Sequence, residues 1–139
     1  MSDEAEIRAL IGAHFDALGW EKGGRPDWER FNADFLPEAV LYPSARPAVQ
    51  WSLADFAARM NRVAEEVLET FEEATLGMTV QVFGNIAVVL AASRMLENGR
   101  DENHDVSGYL LVRTDGAWKI AAHAWDKASE DRPVPAALR

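Results

Sequence analysis

The chain has 139 residues, a normal size for one domain, and 48% of them are hydrophobic, enough to form one core. It contains no cysteine, which excludes disulfides, zinc–thiolate centres and a cysteine nucleophile. The formal net charge is −9 and the 14 lysines and arginines are scattered, which argues against a nucleic-acid partner. The first residues, MSDEAEIRAL, are acidic and unlike a signal peptide, and no apolar run reaches the roughly 18–20 residues of a membrane span. We therefore expect a cytoplasmic protein without membrane contact.

Two helices are predicted at the start of the chain. The first begins near Asp3, with Glu6 in the capping-box position, and ends near Trp20. Its apolar face consists of Ile7, Leu10, Ile11, Phe15 and Leu18. The second is short, is capped by Asp27, repeats Trp28, Phe31 and Phe35 at helical spacing, and ends at Pro37. A short strand is predicted from Ala39 to Tyr42.

The clearest helix of the chain begins after Ser52. Ser52 and Asp55 have the spacing of a capping box. A continuous apolar stripe then runs from Leu53 to Phe71, with charged residues on the opposite side. This pattern predicts a long helix with one buried face.

Four antiparallel strands are predicted after this helix. Thr75–Phe83 and Ile86–Leu96 flank the turn Gly84-Asn85, and Val106–Thr114 and Ala117–Trp125 flank Asp115-Gly116. The connection from Glu97 to Asp105 is long and polar, so the register between the two hairpins stays open. Helices that precede a run of strands indicate an α+β fold, with the helices on one face of the sheet. We expect a single domain over residues 1–130 and an extended tail over residues 131–139.

The two-residue turns predict which strand residues share a face, because the register of a hairpin fixes its faces. In the first hairpin the face toward the helices is predicted to hold four pairs: Val82–Ala87, Val80–Val89, Met78–Ala91 and Leu76–Ser93. In the second, Leu111–Ile120 and Tyr109–Ala122 are predicted to point inward. His123 and Trp125 then lie on the outward face, from which a bend of the strand end could return them to a pocket. The mixed outer face of the first hairpin is predicted to be a free or dimer-forming surface.

Three stretches of the sequence form a familiar combination. They are the segment from Asp27-Trp28 to Pro37-Glu38-Ala39-Val40, the hairpin VQVFGNIAVV of residues 80–89, and the closing hairpin LLVRTDGAWKI of residues 110–120. Together they resemble the nuclear-transport-factor-2-like (SnoaL-like) superfamily and cover most of the chain. The resemblance implies a cone, in which a strongly curved antiparallel sheet wraps around the N-terminal helices and encloses an apolar pocket. It also implies a homodimer formed through the sheet.

His14 is the candidate catalytic residue. It lies in the middle of the first helix's apolar face, so its side chain is predicted to point into the interior. An imidazole there could act as a general acid or base. The alternative is a core histidine held by a backbone carbonyl or a neighbouring carboxylate.

Six further residues are candidate ligand contacts: Trp20 and Trp51 at the mouth of the cone, Met60 on the long helix, Tyr42 and Tyr109 as hydroxyl donors, and His123 near a strand end. Ordinary packing is the alternative for each of them. No inward-facing carboxylate is evident, and the pair Glu72-Glu73 is interpreted as a solvated helix edge. The acidic stretch around His104 matches no metal motif, so no metal or cofactor is expected.

Superfamily membership does not fix an activity, because the fold is shared by isomerases, cyclases, dehydratases, epoxide hydrolases and non-catalytic binders. We expect a domain that binds a small, largely apolar ligand and forms a homodimer. The first alternative is a cofactor-independent lyase, cyclase or isomerase with His14 as acid or base and Tyr42 or Tyr109 stabilising an oxyanion. The second alternative is a dimeric interaction module with no open pocket.

Overall fold

The helices and strands follow one another in the predicted order. The computed structural model describes residues 2–139. Its elements are α1 (Asp3–Ala13), a 3₁₀ turn (His14–Ala17), α2 (Trp28–Asn32), β1 (Phe35–Tyr42), α3 (Leu53–Glu66), β2 (Phe71–Phe83), β3 (Ile86–Glu97), β4 (Asp101–Thr114), β5 (Ala117–Lys127) and a second 3₁₀ turn (Ala136–Leu138). Among the described residues, no helix is long and apolar enough to cross a membrane.

The five strands form one sheet in the order β1-β5-β4-β3-β2. Strands β2 to β5 are antiparallel, as predicted, but β1 runs parallel to β5, with Leu41 opposite His123. The sheet is therefore mixed. In the chain, α3 lies between β1 and the other strands, and in the sheet β1 pairs with the edge of β5 that β4 leaves free. Helix α1 packs against β2 and α3 against β1, so the helices and the inner face of the sheet share one apolar core. This arrangement is the predicted α+β class.

The starts of α1 and α3 are each stabilised by a local capping interaction. The predicted capping box of α3 is present, since Ser52 and Asp55 each bond the other's backbone amide. Helix α1 is capped by Ser2 rather than by Asp3, because the Ser2 hydroxyl accepts from the amide of Ala5. The cap thus lies one residue before the predicted position.

The second predicted helix is shorter than the apolar spacing suggested. Helix α2 ends at Asn32, and Phe35 already belongs to β1, which also includes Pro37. A proline has no amide hydrogen to donate, and β1 tolerates one because it is an edge strand. The prediction that α2 includes Phe35 was therefore wrong. Phe31 and Phe35 have helical spacing because both side chains enter the same core, one from α2 and the other from β1.

A β-bulge in β2 changes the predicted faces of the first hairpin. Near the turn the predicted register is correct, but the bulge follows Thr75, so Thr75 rather than Leu76 lies opposite Ser93. The Thr75 hydroxyl donates to the carbonyl of Ile11 in α1 at 3.0 Å, and Leu76 is exposed. The inward prediction for Leu76 was wrong because one extra residue moves every side chain beyond it to the opposite face.

A second bulge changes the faces of the closing hairpin. Leu111 lies opposite Ile120 as predicted, but the register shifts beside Leu110, so Tyr109 faces His123 instead of Ala122. His123 is buried and stacks on Tyr109 on the inner face. The outward prediction for His123 and Trp125 was therefore wrong, and the bulge is the reason.

The remaining differences from the predictions concern the residues at which helices and strands begin and end. Helix α3 ends at Glu66, and β2 begins at Phe71, where a continued helix was predicted. The predicted polar connection over residues 97–105 is instead a tight turn, in which Asn98 and Gly99 have positive φ values of 54° and 64°. The side-chain oxygen of Asn98 accepts from the amides of Glu69 and Thr70, which fixes the turn against the start of β2.

The C-terminal tail is not extended to its end. Residues Ala136–Leu138 form a 3₁₀ turn that packs against β2 and β3, and Leu138 is fully buried. A side chain at Gly77 would approach the Leu138 carbonyl oxygen to 2.7 Å, so the contact requires glycine there. The tail runs along the outer face of the sheet, since Pro133 and Pro135 border the same groove as Leu90.

Candidate functional site

A cavity of about 290 Å³ lies between α3 and the inner face of the sheet. Its apolar wall consists of Phe15, Leu18, Pro43, Trp51, Phe56, Met60, Val63, Leu68, Phe71, Met95 and Trp125. Its polar lining consists of Arg59, Glu73, Glu97, Asp105, Ser107, His123 and Lys127. Most of the apolar wall comes from helices and loops, whereas all of the polar groups except Arg59 come from the strands.

The strands present these polar groups because every second residue of each strand points inward. Ser93, Asp105 and Lys127 lie opposite one another on β3, β4 and β5. The next inward position of β4 is Ser107. The polar lining is therefore a connected patch that crosses several strands.

Glu73 is the carboxyl group at the β2 side of the cavity. Its Oε2 accepts a hydrogen bond of 2.9 Å from the buried hydroxyl of Ser93. The residue is half-buried, and it lines both the cavity and a second pocket that Asp16, Glu72 and Arg94 border. This burial raises the pKa of Glu73 from 4.5 to about 8, the Ser93 hydrogen bond opposes the rise, and the charge of Asp105 adds to it. Glu73 is therefore mostly protonated at neutral pH.

Asp105 is, with Glu97, one of two further carboxyl groups that line the cavity. Burial raises its pKa from 3.8 to about 6, with Lys127 opposing the rise and Asp126 adding to it. Asp105 is therefore mostly ionised at neutral pH, where Glu73 is mostly neutral. Its Oδ1 is buried and has no hydrogen-bond partner among residues 2–139. Two carboxyl groups in different protonation states provide one acid and one base in the same cavity.

His123 and Tyr109 form a stacked pair behind these carboxyl groups, with ring centroids 4.3 Å apart. His123 Nε2 lies 2.9 Å from the hydroxyl of Ser107, while its Nδ1 is buried without a partner in the described chain. Burial, and secondarily the charge of His14, lowers the pKa of His123 well below its ordinary value, so the imidazole is neutral. Burial raises the pKa of Tyr109, whose hydroxyl lies near Ser107 without a hydrogen bond of normal geometry.

His14 points into the interior, as its place in the apolar face predicts. Its Nδ1 lies 2.8 Å from Asp34 Oδ2, and its ring stacks on Phe31 with centroids 4.6 Å apart. The side chain is buried among aromatic rings beside the cavity and does not line it. This geometry matches the alternative of a core histidine held by a carboxylate, and its catalytic role stays a prediction.

The six candidate ligand contacts separate into three groups. Trp51, Met60 and His123 line the cavity. Trp20 lies in the core, where its Nε1 donates to the carbonyl of Leu68 at 3.0 Å, and Tyr109 lies behind His123. Their roles as ligand contacts stay predictions.

Tyr42 borders a different space, a groove of about 520 Å³ between the outer face of the sheet, the loop after β1 and the C-terminal tail. Its hydroxyl donates to Gln50 Oε1 at 3.2 Å. The groove is larger than the inner cavity, but Glu73, Asp105 and His123, three of the four groups whose pKa values are shifted by burial, line the cavity and not the groove. We therefore place the candidate site in the cavity. Within residues 2–139, no three His, Asp or Glu side chains are grouped to hold a metal ion.

The two carboxyl groups were missed by the sequence analysis. Glu73 was interpreted as helix edge because the apolar stripe of α3 was continued to Phe71, and Asp105 was placed in a connecting loop. One signal was available: Phe71, Glu73 and Thr75 alternate as in a strand, which would have placed Glu73 on the same face as Phe71. Asp105 gave a similar signal, since it alternates with Ser107 and Tyr109 along one strand, but the strand was predicted to begin at Val106.

Several solved structures share this fold at low sequence identity. An NTF2-like protein with a cystatin-like fold from Novosphingobium aromaticivorans has a TM-score of 0.74 at 17% identity, covering 99% of this chain and 86% of that one. An NTF2-like protein of unknown function from Pseudomonas putida KT2440 has a TM-score of 0.71 at 18% identity, covering 100% and 99%. A protein of unknown function from Nostoc punctiforme has a TM-score of 0.72 at 11% identity, covering 92% of each chain.

These likenesses show that the fold is NTF2-like and leave the activity open, because one fold hosts many unrelated functions. No curated protein matches the chain. The family model described as the SnoaL-like domain matches residues 23–125, most of the chain. The protein therefore belongs to the SnoaL-like family and shares the fold of NTF2-like proteins.

Proposed function

We propose that the protein binds a small, largely apolar molecule in the cavity between α3 and the sheet. The supporting observation is the combination of an aromatic and aliphatic wall with a small set of buried polar groups on the strands. This combination is typical of ligand pockets, in which apolar surface supplies affinity and a few polar groups fix orientation. The volume of about 290 Å³ suits a molecule of one or two rings.

Filling the cavity tests this proposal. Met60→Trp places a bulky ring in the cavity, whereas Arg62→Trp adds the same ring to the exposed side of α3 as a matched control. Titration calorimetry with 2-naphthylmethanol should show binding to wild type and to Arg62→Trp, and at least a tenfold loss in Met60→Trp. Unchanged binding to a folded Met60→Trp protein would contradict the proposed location.

A second candidate function is proton transfer on a carbonyl compound. It is favoured by the pair of carboxyl groups, one ionised and one protonated at neutral pH. Asp105 would remove a proton from the carbon next to the carbonyl group, and Glu73 would donate its proton to the carbonyl oxygen, which yields an enol. The reverse transfer at another carbon completes an isomerisation. In this mechanism Glu73 is the acid and Asp105 is the base. His14 has neither role, because it does not line the cavity.

Hydrogen–deuterium exchange tests the second candidate. In D₂O, wild type should accelerate exchange of the α-protons of 2-tetralone, measured by proton NMR. Glu73→Gln and Asp105→Asn should abolish the acceleration, and Glu72→Gln, which changes an exposed neighbour, should retain it. Exchange no faster than in buffer would leave binding as the only supported function.

We also propose a second copy of the chain as the protein partner. The outer face of the sheet exposes an apolar row formed by Phe83, Ile86, Val88, Leu90 and Leu110. A patch of this kind is unusual on a monomer. Val88→Asp should lower the mass measured by light scattering from dimer to monomer, and Ala58→Asp on exposed α3 should not. A wild type that is monomeric at micromolar concentration would refute the proposal.

A further inference from the structure

Two buried polar atoms of the cavity lining have no hydrogen-bond partner among residues 2–139. They are Asp105 Oδ1 and His123 Nδ1. Both side chains line the cavity, and their residues are 7% and 5% exposed. Buried polar atoms in folded proteins are nearly always hydrogen-bonded, so these two indicate where a bound molecule would complete the site.

The chemistry of Asp105 restricts what can complete it. An ionised carboxylate only accepts hydrogen bonds, so the missing partner of Oδ1 must be a donor. Lys127 lies opposite Asp105 on β5 and acts on it as an opposite charge, but among the described residues its ammonium group forms no hydrogen bond or ion pair with Asp105. The donor is therefore not supplied by this neighbour.

The surrounding charges restrict the partner further. Lys127 acts on Asp105 as an opposite charge, Asp126 and Glu97 act on it as like charges, and Arg59, Glu97 and Lys127 all line the same cavity. A ligand anion placed at Oδ1 would be repelled first by the ionised Asp105 carboxylate itself, because that charge is nearer to it than the cations of the lining. A neutral hydroxyl or a protonated amine would instead supply the donor without repulsion.

His123 is compatible with the same ligand group. Its imidazole is neutral, and its Nδ1 is a donor or an acceptor according to the tautomer that the Ser107 hydroxyl selects at Nε2. A hydroxyl group can both donate and accept, so it satisfies Nδ1 in either tautomer. Asp105 and His123 together therefore favour a ligand with a polar donor at one end.

We infer that the cavity selects an apolar molecule that carries a hydrogen-bond donor, a hydroxyl or a protonated amine, for Asp105 Oδ1, and that it rejects carboxylates of the same shape. This inference rests on the proposed binding function and adds the chemical class of the ligand. Asp105 is the specificity-determining residue, and His123 supports the orientation of the donor.

Matched probes test the inference. Four compounds share the naphthalene ring and differ in one group: 2-naphthylmethanol, 2-naphthylmethylamine, 2-naphthoate and 2-methylnaphthalene. A parallel cyclohexyl series provides a second shape. Dissociation constants are measured at pH 7.5 by following the amide signals of Ser107 and His123 in nitrogen-15 NMR. The alcohol and the amine should bind at least about tenfold more tightly than the methyl compound, with the carboxylate weakest.

Three variants assign the preference to Asp105. Asp105→Asn keeps an acceptor and removes the charge, so the amine should lose its advantage while the alcohol still exceeds the methyl compound. Asp105→Leu removes the acceptor, so the alcohol and the methyl compound should bind equally. Asp126→Asn removes a like charge that acts on Asp105 from the neighbouring residue of the outer groove, so it should change the amine and carboxylate ratios far less than Asp105→Asn does and should leave the order of the four compounds unchanged. Circular dichroism confirms that each variant is folded.

The outcomes separate this inference from the proposed function. If the methyl compound or the carboxylate binds as tightly as the alcohol and the amine, the inference is overturned while binding in the cavity stands. If Asp126→Asn changes the ratios as much as Asp105→Asn, the preference reflects net charge and the inference fails. If no compound of either series shifts the cavity signals at millimolar concentration, the proposed binding function itself is refuted.

Discussion

Replacing Glu73 by glutamine should change how the stability of the protein depends on pH. Glutamine has nearly the same shape as a protonated glutamate, and its side-chain oxygen can still accept the hydrogen bond from Ser93. It cannot ionise. The free energy of unfolding of Glu73→Gln should therefore lack the contribution that comes from ionising a carboxyl group inside the cavity.

The size of the effect follows from the pKa of Glu73, which burial raises from 4.5 to about 8 in the folded state. Between these values the unfolded chain has lost the proton and the folded chain keeps it, so stability falls as pH rises. The stabilising contribution is complete below pH 4.5 and is lost as pH approaches 8. Each pH unit in this window changes the free energy of unfolding by about 1.4 kcal/mol, which amounts to about 5 kcal/mol across it.

Urea unfolding followed by tryptophan fluorescence at pH 5 to 9 measures this difference. Wild type and Glu73→Gln should be similarly stable near pH 5, and the variant should become more stable by several kcal/mol near pH 8.5. Asp105 also titrates in both proteins, so the difference between them reports the ionisation of Glu73 together with its repulsion by Asp105. Glu72→Gln, at an exposed neighbouring position, should follow wild type within about 0.5 kcal/mol. Parallel curves for wild type and Glu73→Gln would refute the assignment of a buried, protonated carboxyl group.

Three further substitutions test other parts of the structure by urea unfolding. His14→Ala should cost about 3 kcal/mol, because it leaves a cavity among aromatic rings and removes the partner of Asp34, and a cost below 1 kcal/mol would contradict the buried position. Ser52→Ala should cost about 1 kcal/mol through loss of the capping box with Asp55, and an unchanged stability would mean that the cap is replaced by water. Leu138→Ala should cost about 3 kcal/mol, since Leu138 is fully buried, whereas an effect near zero would show that the tail is detached in solution.

Local patterns in the sequence determined most of the secondary structure and the fold class. The Ser52 capping box, the apolar stripe of α3 and the Asp115-Gly116 turn each depend on residues close together in the chain. Their geometry is set by backbone and side-chain contacts that the sequence contains directly. For the same reason the inward position of His14 could be predicted from its place in one helical face.

The candidate site could not be predicted in the same way, because its residues are brought together by long-range pairing. The bulge after Thr75 and the shift beside Leu110 decide which side of the sheet each strand residue occupies, and neither is marked by a local pattern. They turn Glu73 and His123 inward, where burial beneath α3 changes their protonation. The sequence by itself thus determined the helices, the strands and the α+β class, while only the tertiary structure decided which acids and bases meet in one cavity. A pKa shift by burial depends on everything packed around a group, and that environment exists only once the sheet has closed over the helices.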